Sequence, residues 1–577
     1  MSETTFSIVG SGGDGAVAAG DILSMACARD GLHVIKTEAY GPQIRGGESS
    51  CTVRISSSRI YAQSDSVDAL IVFNWADFAR FRSEISLSPD AFVLHEADDK
   101  APDEISSGGT RQVIAVPFNK LAPKGKNILA LGILAELFGL PAGAIRAAIA
   151  QRFAKKAQAV IDANLAAFDR GVAYCSELPK PAKRLVYEKA PARLLMSGNE
   201  ASAVAAIDAG CRFFAGYPIT PSSEILHFLA DWLPKIGGST LQTEDELAAI
   251  GAVVGGSFAG VKSMTATSGP GLSLMAEILG LSSIAEIPAV IVNVQRGGPS
   301  TGIPTKSEQS DLMHALYASH GDTPRVVLAC NDVEDSYHAT VDAFNIAEEF
   351  QVPVIMLSDQ SIAQRRETIA AESLEHEVVE RRLAHDLTEY KRYRITDDGV
   401  SPMTVPGQAG GMYQTNGLEH DEQGRPNSMH IVHERMNEKR FRKLDAIAKK
   451  YGKLFTRFGP AKADVGILCW GSSTGPVREA IEQLNAEGIR VAAFVPKLLM
   501  PLPLVELEKF ISECEQLVVM ELSFSKQFYT YLRTQVDLPK NRTHVYARSG
   551  GSALRVSEVI DQVVEVRRPR LTKEVTV

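Results

Sequence analysis

Short apolar runs that stop abruptly on Gly, Ser, Thr or Asp recur through this chain. Each is followed by a stretch with helical spacing. Between residues 211 and 359 they read CRFFAGYPIT, SMTATSGPG, AVIVNVQ, RVVLAC and PVIMLSD. A strand covered on both faces is apolar almost throughout, and parallel strands need long crossovers, usually helical. The rhythm therefore predicts an α/β fold, with polar groups gathered at the carboxyl edge of a parallel sheet. It also occupies residues 1–177 (FSIVG, HVIKTEAY, ALIVF, AFVLHE, RQVIAVP) and 461–577 (VGILCWGSS, VAAFVPK, QLVVMELSF, HVYARSG). Three α/β blocks are expected: 1–177, 193–385 and 461–577. Residues 178–192, dense in Pro and basic residues, read as an extended linker. Residues 386–460 read as a long Gly/Pro-rich loop and a helix connection, in which ERMNEKRFRKLDAIAKKY is a solvated basic face.

The balance of charge narrows the partners. A net charge of -9, spread without long like-charge runs, argues against a general nucleic-acid binder. No apolar run approaches the ~18 residues of a membrane span. MSETTFSIVG has no basic stretch leading into an apolar one, so the expected compartment is the cytoplasm. The seven cysteines stand singly, with no C-x-x-C spacing. They read as buried small side chains rather than as ligands of a metal or an iron–sulfur cluster.

Four stretches carry chemistry. In FSIVGSGGDGAVAAGD, Gly10, Gly12 and Gly15 match a dinucleotide-binding turn, with Glu38 at about the distance of its acidic partner. Gly13, Asp14 and Gly15 also match the G-D-G that opens the metal–diphosphate motif of thiamine enzymes. In GYPITPSSE, Thr220 is a natural N-cap and Pro221 a natural first helical residue, which would point free N–H groups at a strand end. In QTEDELAAIGAVVGGSFAG, Glu246 enters a helix of small apolar residues, where desolvation raises a carboxyl pKa unless it is paired. In the stretch from Thr265 to Asp311, Ser268–Gly271 form a tight turn. Arg296 follows a buried strand, and Thr305 and Lys306 lie in the next loop. The Arg296 fork suits a carboxylate of protein or of substrate. A plain helix cap, acids complementing a helix dipole and a structural ion pair would also account for these residues one by one. Thr220, Glu246 and Arg296 at one sheet edge would make an α/β enzyme that handles a small carboxylate.

These residues resemble a family. GYPITPSSE, EDELAAIGAVVGGSFAG, TSGPGLSLMAE, NVQRGGPSTGIPTKSEQSDL, YGPQIRGGESSCTVRIS and GLEHDEQG, in that family's order, are similar to the alpha subunit of 2-oxoacid:ferredoxin oxidoreductases in the form with a gamma domain fused ahead of alpha. The 2-oxoglutarate:ferredoxin subfamily is the most similar. The resemblance implies a multidomain α/β chain: an N-terminal gamma domain, a pyrimidine-type thiamine diphosphate domain and a C-terminal transketolase-C-like domain. It implies that Glu246 bonds the aminopyrimidine of thiamine diphosphate, that Thr220 and Arg296 contact the 2-oxoacid, and that Thr305 and Lys306 lie close by. It implies oxidative decarboxylation of 2-oxoglutarate to succinyl-CoA with electrons to ferredoxin, reversible to CO2 fixation. A G-x-G-x-D-G loop that meets CoA maps onto Gly10, Gly12, Gly13, Asp14 and Gly15, with Arg45 as a phosphate or substrate partner. After Gly15 the window TEAYGPQIRGG lacks the Asn of the metal–diphosphate motif. Mg2+, the diphosphate end of the cofactor and a [4Fe-4S] cluster are therefore expected on a beta subunit, in a dimer of heterodimers. Three rivals stay open: a pyruvate, branched-chain or broad 2-oxoacid preference; an NAD-dependent dehydrogenase built on the Gly10–Gly15 loop; and a non-catalytic scaffold.

Overall fold

A computed structural model describes residues 2–41, 47–107 and 109–567. The chain forms two compact units, one of residues 1–197 with 364–374 and one of residues 198–363 with 375–577.

The first unit carries a mixed sheet, of eight strands among the described residues. Its order is Gln112–Val116, Leu87–Glu96, Val67–Val72, Glu3–Ser11, Glu48–Ser56, His33–Tyr40, Arg366–Ile369, Leu194–Ser197. The four strands from Gln112–Val116 to Glu3–Ser11 run parallel, and the other pairings are antiparallel. Two strands from the 193–385 interval, Leu194–Ser197 and Arg366–Ile369, thus pair into this sheet. Residues 178–193 have no helix or strand and run along the first unit. Leu185 donates its N–H to the Phe138 carbonyl at 2.8 Å, Lys183 pairs with Asp68, and Arg193 N–H reaches the Ala28 carbonyl at 2.9 Å. Lys189 likewise pairs with Asp30 of the same unit, at 3.2 Å.

The second unit holds two sheets among the described residues. The larger has the order Leu498–Met500, Val326–Ala329, Pro353–Asp359, Ala289–Gln295, Ser263–Thr267, Phe213–Gly216, Ser239–Gln242, all parallel except the first pair. All seven residues of Ala289–Gln295 and of Pro353–Asp359 are buried, as central parallel strands require. The smaller sheet, Phe455–Phe458, Val491–Pro496, Ala463–Leu468, Cys514–Glu521, Thr543–Ala547, is parallel apart from its first pair. Leu498–Met500, which follows Val491–Pro496 directly, crosses to the larger sheet. One core is shared between the two: Ile291, Ile355 and Leu499 pack with Phe494, Phe510 and Leu517. Gln309 sews the layers together. Its Nε2 donates to the Trp470 carbonyl at 2.6 Å, while Oε1 accepts from Ser473 Oγ and from Leu522 N–H.

The basic helix His430–Tyr451 is not a solvated face. Lys439, Arg440 and Lys443 are buried, and both lysines converge on the buried Glu286 carboxylate at 2.6 Å. Glu286 lies just past the C-terminus of helix Gly269–Ile284. Arg392, in the long loop, donates to its carbonyl at 2.6 Å and stacks on the rings of Tyr393 and Tyr413. A cation at the carbonyl end of a helix is favourable. Loop and helix are thereby clamped to the larger sheet's helical layer.

Candidate active site

Four adjacent parallel strands end at one edge, and each hands the chain to a residue of interest. Ser239–Gln242 leads to Glu246, Phe213–Gly216 to Thr220, Ser263–Thr267 to the Ser268–Gly271 turn and Ala289–Gln295 to Arg296. The expected cap at Thr220 is not formed: the helix runs Ser223–Trp232, with Ser222 at its cap. A turn intervenes, in which the Ile219 carbonyl accepts from the N–H groups of Ser222 and Ser223. That turn frees Thr220 from the helix and exposes two carbonyls to side chains. Asn199, fully buried, donates to the Pro221 carbonyl at 2.8 Å, and Arg296 Nη1 donates to the Thr220 carbonyl.

Glu246 begins helix Glu246–Phe258. Asp245 caps it, its Oδ1 accepting from Ala248 N–H at 2.8 Å. The Glu246 side chain is 5 % exposed. Burial lifts its carboxyl above the ordinary range and the Asp245 charge adds to the lift. Its own backbone N–H, Arg296 and the Thr267 hydroxyl pull the other way. Gly271 makes room for it: a Cβ there would fall on the Thr267 hydroxyl and the Glu246 carboxyl. Arg296 is 7 % exposed, and its Nε has no partner. Ser268 Oγ and Asn293 Oδ1 nearby are also buried and unmatched. Unmet buried donors and acceptors are costly, and together they mark a place built for a polar ligand.

The loop after Arg296 folds back on it. Gly297 N–H donates to the Lys306 carbonyl at 3.0 Å and Ile303 N–H to the Gly297 carbonyl at 2.7 Å, so Thr305 and Lys306 return to the strand end. The smaller sheet meets them there. Gly551 leaves space that the Lys306 side chain fills, and Gly550 N–H donates to Glu308 Oε1 at 3.2 Å.

In the first unit, the glycine turn joins strand Glu3–Ser11 to helix Ala16–Arg29. Gly13 and Gly15 have φ of 107° and 78°, so the turn requires glycine there. Asp14 braces it, Oδ2 accepting from Ser11 N–H at 3.0 Å while Oδ1 pairs with Lys126 at 2.7 Å. Asn127 donates to the Gly15 carbonyl at 3.1 Å. Gly12 N–H is spent on the Gly47 carbonyl. The NAD reading loses its acidic partner. Strand Glu48–Ser56 separates Glu38's strand from the glycine strand, and Lys36 and Tyr40 already hold the Glu38 carboxylate. Arg45 lies outside the described residues.

Three family models match in sequence order: pyruvate ferredoxin/flavodoxin oxidoreductase over residues 5–174, the thiamine diphosphate-binding domain of pyruvate flavodoxin/ferredoxin oxidoreductase over 204–439, and pyruvate:ferredoxin oxidoreductase core domain II over 463–559. The 2-oxoglutarate synthase subunit KorA of Methanothermobacter thermautotrophicus is 36% identical over 378 residues, 65% of this chain and 98% of that one. The chain belongs to the 2-oxoacid:ferredoxin oxidoreductase family, among its alpha subunits. A 2-oxoacid:ferredoxin oxidoreductase subunit alpha from a Sulfolobus species is 28% identical and aligns over 97% of this chain and 96% of its own. A 2-oxoglutarate:ferredoxin oxidoreductase from Magnetococcus marinus, solved with 2-oxoglutarate, coenzyme A and succinyl-CoA bound, superposes with a TM-score of 0.94 at 38% identity, covering 98% of this chain and all of that one. Within this 2-oxoacid:ferredoxin oxidoreductase chain, motif reading did not single out Asn199, Thr267 or Asp311 at the larger site, nor Lys126 and Asn127 at the glycine turn. Each acts on a motif from a different element. Only Thr267 and Asp311 carried any signal, as polar residues within a stretch already under scrutiny.

Proposed function

We infer that the chain is the alpha subunit of a CoA-acylating 2-oxoglutarate:ferredoxin oxidoreductase, converting 2-oxoglutarate to succinyl-CoA with electrons to ferredoxin. The observation that carries the reading is the gathering of a buried acid, Glu246, and a buried guanidinium whose Nε has no partner, Arg296, at the carboxyl edge of one sheet. The residues present fit thiamine diphosphate. The Gly271 recess and the unmatched Ser268 and Asn293 atoms line a polar cradle, and Glu246 begins a helix beside it. When bound, the cofactor supplies the carbon nucleophile and electron sink that 2-oxoacid decarboxylation needs. Glu246 holds and exchanges a proton with the aminopyrimidine ring, a task suited to a carboxyl whose pKa burial has raised. Arg296, steadied on the Thr220 carbonyl, grips the 2-oxoacid carboxylate with its guanidinium, whose buried Nε is still without a partner. Thr220 and Thr305 flank that carboxylate, and Lys306 is assigned to the distal one.

The beta partner is assigned the Mg2+–diphosphate site and the [4Fe-4S] cluster. The seven cysteines are buried single thiols, and burial favours their protonated form when no metal is bound. It pushes the thiols of Cys51, Cys175, Cys211, Cys330 and Cys469 up to about 12, and Cys27 higher. The face beside Glu246 suits a partner: Leu247, Leu274, Leu241 and Tyr217 are each more than 40 % exposed. Coenzyme A is assigned to the Gly10–Gly15 turn, where the helix N-terminus has no side-chain cap and Lys126 stands beside Asp14. A dimer of such heterodimers is the proposed assembly.

Co-expression with the beta subunit tests the reading. CoA-dependent reduction of ferredoxin with 2-oxoglutarate preferred over pyruvate supports it. NAD reduction by this chain alone would overturn it. Arg296→Lys keeps the charge but loses the fork, so KM for 2-oxoglutarate should rise by roughly 10–100-fold, with kcat less affected. An unchanged KM would remove Arg296 from substrate binding.

A further inference from the structure

Two successive carbonyls in the turn that carries Thr220 are held by buried side chains from other elements. Arg296 Nη1 donates to the Thr220 carbonyl, and Asn199 Nδ2 donates to the Pro221 carbonyl at 2.8 Å. The carbonyl before them, of Ile219, is satisfied within the turn. It accepts from Ser222 N–H at 2.9 Å, from Ser223 N–H at 3.1 Å and from the Ser222 hydroxyl at 3.0 Å. Pro221 has no N–H to contribute. The Ile219 end of the turn is thus tied internally, while its Thr220–Pro221 end hangs on Arg296 and Asn199.

Asn199 is the second residue of helix Gly198–Asp208 and is 1 % exposed. The start of that helix is pressed against Ile362, since a Cβ at residue 198 would fall 2.5 Å from the Ile362 carbonyl oxygen. The amide of Asn199 also reaches across to the next helix, Ser223–Trp232, where Nδ2 donates to Glu224 Oε2 at 2.9 Å. A carbonyl and an ionised carboxylate can only accept, so both partners demand a donor. A short side chain ending in –NH2 meets both from one atom. Aspartate has nearly the same shape but would set an oxygen against two acceptors. The contact with Glu224 alone would staple two helices together. The contact with Pro221 does more, because it lies one residue from the carbonyl on which Arg296 rests. Asn199, Pro221, Thr220 and Arg296 form a continuous path in which every link is a hydrogen bond or the chain itself.

We propose that Asn199 is a positioning residue for the 2-oxoacid site. By holding the Pro221 carbonyl it fixes the turn, and so sets where the Thr220 carbonyl meets Arg296 and which way the Thr220 hydroxyl faces the substrate. This rests on the roles given to Thr220 and Arg296 above.

Asn199→Ala and Asn199→Asp in the complex with the beta subunit are the test. Loss of the anchor in Asn199→Ala should raise KM for 2-oxoglutarate roughly tenfold, with a smaller change in kcat. Asn199→Asp turns the donor into an acceptor and should raise it by roughly 100-fold. Combining Asn199→Ala with Arg296→Lys separates positioning from packing, because residues of one network do not act independently. The double variant should lose less in kcat/KM than the product of the two single losses. Losses that simply multiply, or a KM that does not move in Asn199→Ala, would overturn the proposal. So would a lower melting temperature with kcat and kcat/KM falling together, the mark of a staple between helices. A crystal structure of the Asn199→Ala complex reads the geometry without turnover: the Thr220 carbonyl should leave Arg296, and an unchanged contact overturns the proposal. If the wild-type complex does not turn over 2-oxoglutarate, the reading of the site falls, and the variant structure still decides the role of Asn199.

Discussion

Glu246→Ala is expected to lower kcat of the complex by about 10²–10⁴-fold, the range for loss of a positioned acid–base group, with a smaller change in KM. The site is arranged so that nothing can replace this carboxyl. It is almost wholly buried, held at a helix start by the Asp245 cap, and seated in a recess that exists because residue 271 has no side chain. Glu246→Gln keeps the shape and should lose nearly as much, since an amide cannot ionise. The same burial makes the residue a cost to the fold. A carboxyl whose folded pKa lies above its unfolded one binds more protons when folded. Its contribution is full below the unfolded pKa and is lost as pH rises through the folded one. At neutral pH Glu246→Gln should therefore melt no lower than the wild type. CoA-dependent ferredoxin reduction and a thermal melt check the two halves. More than a tenth of wild-type kcat in Glu246→Ala would remove Glu246 from the chemistry.

Glu286→Gln should destabilise the second unit by about 3–5 kcal/mol, the usual cost of breaking a buried ion pair from one side. Burial alone would lift the Glu286 carboxyl, but Lys439, Lys443 and Arg392 together hold it well below the usual carboxylate range. Burial lowers Lys439, and it brings Lys443 down to about 7 even with Glu286 beside it. Without that carboxylate both lysines drop further below their unfolded values. The unfolded chain then binds more protons than the folded one over a wider range, so stability rises with pH. The loss should accordingly be larger at pH 6 than at pH 9. Urea unfolding at the two pH values, with limited proteolysis of residues 386–429, reads it out. Equal loss at both would mean that the lysines do not titrate against Glu286.

The α/β layering was visible in the sequence because a parallel strand buried on both faces leaves an unbroken apolar run: AVIVNVQ and PVIMLSD are strands over their whole length. Short or alternating strands left no such trace. Glu48–Ser56, with Ser, Thr and Arg among its apolar residues, and the four-residue Leu194–Ser197, Ser239–Gln242 and Arg366–Ile369 emerge only from pairing. So does the fact that Leu194–Ser197 and Arg366–Ile369 extend the sheet of the first unit.

The helix His430–Tyr451 shows the same limit from the side of charge. Its Lys and Arg residues read as solvated because Lys is rarely buried unpaired, and their partner, Glu286, lies more than 140 residues earlier in the chain. At the candidate site, local composition marked Glu246, Arg296 and the 268–271 turn. Each has a signature set by its immediate neighbours: an acid entering an apolar helix, a cation ending a buried strand, a glycine-rich turn. Which of them share an edge is a property of strand order. Parallel neighbours bring the ends of Ser239–Gln242, Phe213–Gly216, Ser263–Thr267 and Ala289–Gln295 to one edge. The return of the chain after the hairpin then brings Asp311 onto Asn293 and over Gly269, in the same turn whose Gly271 makes room for Glu246.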